Sequence, residues 1–126
     1  MQAADLLELR DDLSREMGRL EQLVKGLSEL EPRLGSTSET VEAAALRLHS
    51  FYTGVERMLL LVSRVVNGGT PSRGEGWHRR LVRNLYADEL RVEPIQRLLN
   101  QLQDTWPLLA ADIDRFQSWL TTVAAA

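Results

Sequence analysis

An all-α fold, an antiparallel bundle of four to five helices, follows from three features of this 126-residue sequence. Leucines recur at heptad spacing from Leu6 to Leu34, and wide apolar faces recur at helical spacing through residues 41–66 and 95–123. No stretch alternates apolar and polar residues as a half-buried strand would. Long amphipathic helices joined by short loops bury their stripes against one another. The chain therefore reads as one helical-bundle domain over residues 1–126, with a long N-terminal helix over 3–34 and a core bundle over 37–126.

Each element has its own signature. In the first helix Leu6, Leu13, Leu20, Leu27 and Leu34 hold the heptad positions, and Leu9, Met17, Leu23, Val24 and Leu30 fill the turns between them. Asp5, Glu8, Asp11, Asp12, Arg15, Arg19, Glu21 and Lys25 occupy the solvated face. Gly18 and Gly26 each weaken the helix by roughly 1 kcal/mol relative to Ala, and Pro32 and Gly35 mark its end. Ser36 stands three residues ahead of Glu39, the capping-box spacing, which predicts the start of a second helix. Its broad apolar face runs through Val41, Ala44, Leu48, Phe51, Tyr52, Val55, Met58, Leu59, Val62 and Val65, and Asn67-Gly68-Gly69-Thr70-Pro71 stops it.

Residues 70–76 form a loop rich in Gly, Pro and Ser, and Trp77–Ala87 is predicted as a shorter, basic helix. Pro94 suits the first turn of a further helix whose stripe is Ile95, Leu98, Leu99, Leu102, Trp106, Leu109, Ile113, Phe116, Leu120 and Val123. The phase of that stripe holds across Pro107, which predicts either one kinked helix or two nearly collinear ones, with Asp104 or Thr105 capping the second. Trp106 and Trp119 are expected in the core. The leucine heptads also fit a coiled-coil assembly, and the wide apolar faces leave a surplus for self-association.

Composition narrows the function classes. Apolar residues make up 44% and charged residues 26% of the chain, as in a soluble globular domain. A formal net charge of -3 argues against a protein that coats nucleic acid along its whole surface, while leaving room for a local anion site. The absence of cysteine removes disulfides, zinc thiolate sites and thiol nucleophiles, and fits a reducing compartment. The acidic, periodic N-terminus lacks the pattern of a signal peptide. The most apolar run, Met58–Val66, is interrupted by Ser63 and Arg64 and is too short to cross a membrane, so a cytoplasmic protein with no membrane partner is expected.

One neighbourhood concentrates the groups that can do chemistry. Arg73, Arg79, Arg80, Arg83 and Arg91 belong to the chain's 15 Lys and Arg residues and face only Glu75, Asp88 and Glu89 nearby, so an acidic chain carries a basic patch around Gly76–Tyr86. Arg79 and Arg83, or Arg80 and Arg83, share a helix face and can grip a phosphate; the alternative is ordinary ion pairing with the acidic first helix. His78 lies among these arginines, whose charge favours its neutral, proton-accepting form, or it is a plain surface residue beside Trp77. His49 sits at the margin of the second helix's apolar face, where a structural or exposed role is expected. Carboxylates are scattered without metal-ligand spacing, and Gly68-Gly69 follows a helix instead of opening one, so no phosphate loop is present. Any enzyme here works without metal or cofactor.

Three stretches resemble the HEPN superfamily, and more narrowly the HepT-like ribonuclease toxins, also described as nucleotidyltransferase substrate-binding subunits. They are Leu48-His49-Ser50-Phe51-Tyr52-Thr53-Gly54-Val55-Glu56-Arg57, then Asn67-Gly68-Gly69-Thr70-Pro71-Ser72 with Gly76-Trp77-His78-Arg79, then Val82-Arg83-Asn84-Leu85-Tyr86. With Trp106-Pro107 and the helix after it, the similarity runs from about Thr40 onward. The resemblance implies an all-α homodimer that cleaves RNA without metal, as a toxin paired with a nucleotidyltransferase antitoxin. Its site is an arginine, four to six intervening residues and a histidine, often followed by x-Tyr. The arginine neutralises phosphate, the histidine moves protons, and the tyrosine accepts AMP from the partner.

Carried onto this chain, the catalytic set is Arg79, Arg83 and Asn84, the AMP acceptor is Tyr86, and Trp77, His78 and Arg80 line the surface that binds RNA or partner. Two departures accompany the match. Asn84 stands where the family has histidine, and an amide cannot shuttle a proton near neutral pH. Relatives also carry a loop and part of a helix between the Trp-His and Arg-Asn-x-Tyr segments, where this chain has only a few residues. The other reading is therefore a non-catalytic helical subunit that holds a nucleotidyltransferase or another protein.

Overall fold

A computed structural model describes residues 2–66 and 91–126. We number its α-helices α1 (Ala3–Leu30), α2 (Ser38–Val66) and α3 (Val92–Ala125), with a 3-10 turn at Glu31–Arg33. No strand occurs among the described residues, so the fold is all-α as its periodicity requires. The shorter basic helix expected over Trp77–Ala87 lies outside the described residues.

α1 is the central element and packs against both other helices. It runs antiparallel to each of them. Near its start, Arg10 Nη1 donates to Thr121 Oγ1 at 3.2 Å and Gln117 Nε2 donates to the Arg10 carbonyl at 3.0 Å. Past its end, Gln103 hydrogen-bonds Glu31, and Gly35 lies against Val92. The C-terminal turns of α2 return to the start of α1, where Leu61 and Val65 come beside Asp5 and Leu9. Hence α2 and α3 point the same way, and the two ends joined by residues 67–90 lie at opposite ends of α1.

The core explains why these sequences are helical. Leu6, Leu9, Leu13, Leu20, Leu27 and Leu30 of α1 meet Val41, Ala44, Ala45, Leu48, Phe51 and Met58 of α2 and Ile95, Leu99, Leu102 and Leu120 of α3, all of them buried. Fully burying a leucine contributes about 1.5–3 kcal/mol, and such burial is available only with the stripes facing inward. Because the heptad leucines are covered by the chain's own helices, a coiled-coil assembly through them is not open to this fold.

Three expectations are corrected. The helix expected over 3–34 stops at Leu30, since Pro32 has no N–H for the Ser28 carbonyl and its ring crowds that turn. The chain tightens into the 3-10 turn, and the Leu34 N–H donates to the Glu31 carbonyl at 3.1 Å. The capping pair is Thr37 with Thr40, in place of Ser36 with Glu39. The Thr40 N–H donates to Thr37 Oγ1 at 3.3 Å, whereas the Ser36 hydroxyl turns back to the Arg33 carbonyl at 2.7 Å because Gly35 reverses the chain at φ +89°.

α3 is one continuous helix through Pro107. The proline is exposed, so water reaches the Gln103 carbonyl that lacks its usual donor. Trp106 is half-buried and meets Phe51 edge to face, with centroids 5.9 Å apart. Trp119, however, is 49% exposed: its neighbour Leu120 takes the core position, and one residue turns a helical side chain by about 100°.

Candidate functional site

The side chains singled out from the sequence, Trp77, His78, Arg79, Arg80, Arg83, Asn84 and Tyr86, all lie outside the described residues. What the fold supplies is their frame, the pair of helices whose ends that segment connects. Two features of the frame carry polar chemistry.

The first is an ion-pair cluster between α1 and α2. Glu16 is a buried acid on α1, its side chain only 7% exposed. Arg57 of α2 donates from Nη1 to Glu16 Oε1 at 3.0 Å and Oε2 at 3.2 Å, and Arg19 Nη1 donates to Oε1 at 2.8 Å. These charge-assisted bonds compensate a carboxylate taken out of water. Helix approach makes the cluster possible: Gly54 sits so close to Leu20 that a Cβ there would lie 2.6 Å from Leu20 Cδ2. With Ser50 and Thr53 the cluster lines a depression of about 190 Å³. It balances one carboxylate against two guanidinium groups and is built for structural pairing.

The sequence held a signal for this cluster that periodicity alone did not reveal. Leu9, Leu23 and Leu30 are spaced in heptads, and Glu16 occupies the remaining position of their row. A carboxylate in an apolar row announces a partner on the facing helix. Gly54 likewise interrupts the row formed by Phe51 and Met58.

The second feature is a depression of about 320 Å³ where α2 ends beside the start of α1, lined by Asp5, Glu8, Leu9, Asp12, Leu61, Arg64 and Val65. Its α1 side is acidic and repels phosphate. No group of three or more His, Cys, Asp or Glu residues among those described is placed to hold a metal ion. On the flank of α2, His49 is half-buried, and Tyr52 packs edge-on against Phe51 with centroids 5.7 Å apart. Burial pushes the Tyr52 phenol above its ordinary value of 10.0, which keeps it neutral and suits a packing role.

A family model described as HepT-like protein matches residues 43–85, about a third of the chain. The match supports a HepT-like assignment within the HEPN superfamily. No curated protein and no solved structure matches the chain. The HepT-like stretch begins one turn into α2, contains Gly54 and Arg57 of the helix contact, and extends through Arg83, Asn84 and Leu85. It thus joins two parts of different character. The residues of α2 build the frame, and the segment beyond it, rich in arginine, lies outside the described residues. Among the described residues no helix is long and apolar enough to cross a membrane.

Proposed function

We propose that this chain is the toxin component of a toxin–antitoxin pair, a two-subunit endoribonuclease that needs no metal and is held in check by a nucleotidyltransferase antitoxin. The observation that carries this reading is the HepT-like match, whose residues 43–85 include Trp77, His78, Arg79, Arg80, Arg83 and Asn84 and end one residue short of Tyr86. In this reading Arg79 and Arg83 neutralise the RNA phosphate, and Asn84 hydrogen-bonds the same group. Trp77, His78 and Arg80 extend the contact to RNA or to the partner. Tyr86 accepts AMP, and the added negative charge repels the substrate.

The decisive experiment is RNA cleavage by purified protein in the presence of a chelator, with Arg83→Ala beside the wild type. Cleavage that falls at least about a hundredfold in the variant supports the assignment, since electrostatic stabilisation of a developing charge is worth about that much. Cleavage left unchanged by Arg83→Ala removes the site from Arg83.

Asn84 in the histidine position favours a second reading, a subunit that binds a nucleotidyltransferase without cutting RNA. Acid–base catalysis near neutral pH needs a group that exchanges a proton there, and a carboxamide does not. Stable co-purification with a nucleotidyltransferase, together with no cleavage by the free protein, selects this reading.

A further inference from the structure

The outer flank of α3 carries two large exposed apolar side chains, Leu108 at 69% and Trp119 at 49%. Between them stand Asp112 and Arg115, paired with each other along the helix, their side chains 65% and 73% exposed. At about 100° per residue these four positions fall within roughly 60° of one another, one narrow face of the helix. The core stripe of Ile113, Phe116 and Leu120 lies round the helix from it. Phe116 stacks on Trp119 at 5.8 Å with 22° between the rings, so the indole is braced before any partner arrives.

The order along this face is apolar, acid, base, apolar. Leu108 and Trp119 lie equally far from the midpoint between Ile113 and Asp114, and so do Asp112 and Arg115. Read in the opposite direction the pattern is its own complement. We propose that this face of α3 is the contact between two copies of this chain, their α3 helices antiparallel about a two-fold axis that passes between Ile113 and Asp114.

In that pairing Leu108 packs on the partner subunit's Trp119, and Asp112 meets the partner subunit's Arg115. The symmetry repeats both contacts in reverse. A braced tryptophan against a leucine is the kind of anchor that dominates an interface, while the charges fix register and direction. An unrelated partner would have no need of a pattern symmetric about its own midpoint. The inference rests on the two-subunit reading above and supplies its contact surface.

Sedimentation equilibrium of the full chain over a range of concentrations tests it, with circular dichroism to confirm that each variant keeps its helices. The wild type is expected to dimerise. Asp112→Arg sets arginine against arginine at both symmetric positions and raises the dissociation constant about tenfold. The double change Asp112→Arg with Arg115→Asp restores opposite charges and returns the constant to within about threefold of the wild type. Trp119→Asp raises it about thirtyfold or more. A monomeric wild type overturns both this contact and the two-subunit reading. A dimer equally tight in all the variants overturns the α3 contact and leaves the two-subunit reading standing. Weakening in the double variant that matches the single one also overturns it, because restored complementarity must restore affinity.

Discussion

Arg57 on α2 holds Glu16 on α1 from a single nitrogen, Nη1, which stands 3.0 Å from one carboxylate oxygen and 3.2 Å from the other. The pair is asymmetric in burial: the Glu16 side chain is 7% exposed and that of Arg57 51%. Removing the arginine strands a buried carboxylate with Arg19 alone, whereas removing the acid leaves two arginines in reach of water. Arg57→Ala is therefore expected to cost about 1–3 kcal/mol in urea unfolding, and Glu16→Met less than half as much. Equal losses from the two variants would show that desolvation of Glu16 does not govern the site.

Three glycines of the frame are expected to behave differently. Gly54→Ala forces a Cβ to within 2.6 Å of Leu20 Cδ2, and Leu20 has no free space, being fully buried. It should destabilise by about 1–3 kcal/mol. Gly18 has nothing within 4 Å of a built Cβ, so Gly18→Ala should stabilise by about 0.5–1 kcal/mol through helix propensity alone. Gly35 combines a φ of +89° with a Cβ position 2.8 Å from Val92 Cγ2. Gly35→Ala should destabilise by at least about 1 kcal/mol, and Val92→Ala in the same chain should recover only the steric part. Thermal melting of the single and double variants separates the two contributions.

Tyr52 gives the pH dependence a sign. Its phenol has a raised pKa when folded because burial disfavours the phenolate. The stabilisation is present in full below the ordinary value of 10.0 and is lost as pH rises through the folded value. An ultraviolet titration of a Tyr86→Phe chain, in which Tyr52 is the remaining tyrosine, should show phenolate appearing above pH 10.0 and coinciding with loss of helicity. Titration of Tyr52 at its ordinary value in the folded chain would contradict the packing described here.

Asn84→His addresses the chemistry directly. If the basic segment already holds RNA and lacks only a proton carrier, an imidazole at this position should raise metal-independent cleavage by about a hundredfold or more, with a pH optimum near neutrality. No gain in a variant that still binds RNA would place the missing element elsewhere than at position 84.

Much of this frame was written in the sequence. The rows Leu6-Leu13-Leu20-Leu27 and Leu48-Phe51-Met58 determine that these segments are helical and which side is buried, because at 3.6 residues per turn only a helix puts each row on one face. The stretch from Leu48 to Arg57 and the basic segment to Tyr86 carried the HepT-like resemblance, and the matched residues 43–85 fall within its reach. The candidate site was legible only as a set of residue types, since its members lie outside the described residues and their mutual geometry is a property of the folded chain.

Tertiary structure decided the rest. That Glu16 faces Arg57, that Gly54 packs tightly against Leu20, and that α2 and α3 run parallel all depend on which faces meet, and helical periodicity is silent on that. The same reason separates the two tryptophans of α3. Both lie on the same helix, yet Trp106 packs on Phe51 while Trp119 is 49% exposed on the outer flank, because a side chain's fate is set by what occupies the space opposite it and not by its own hydrophobicity.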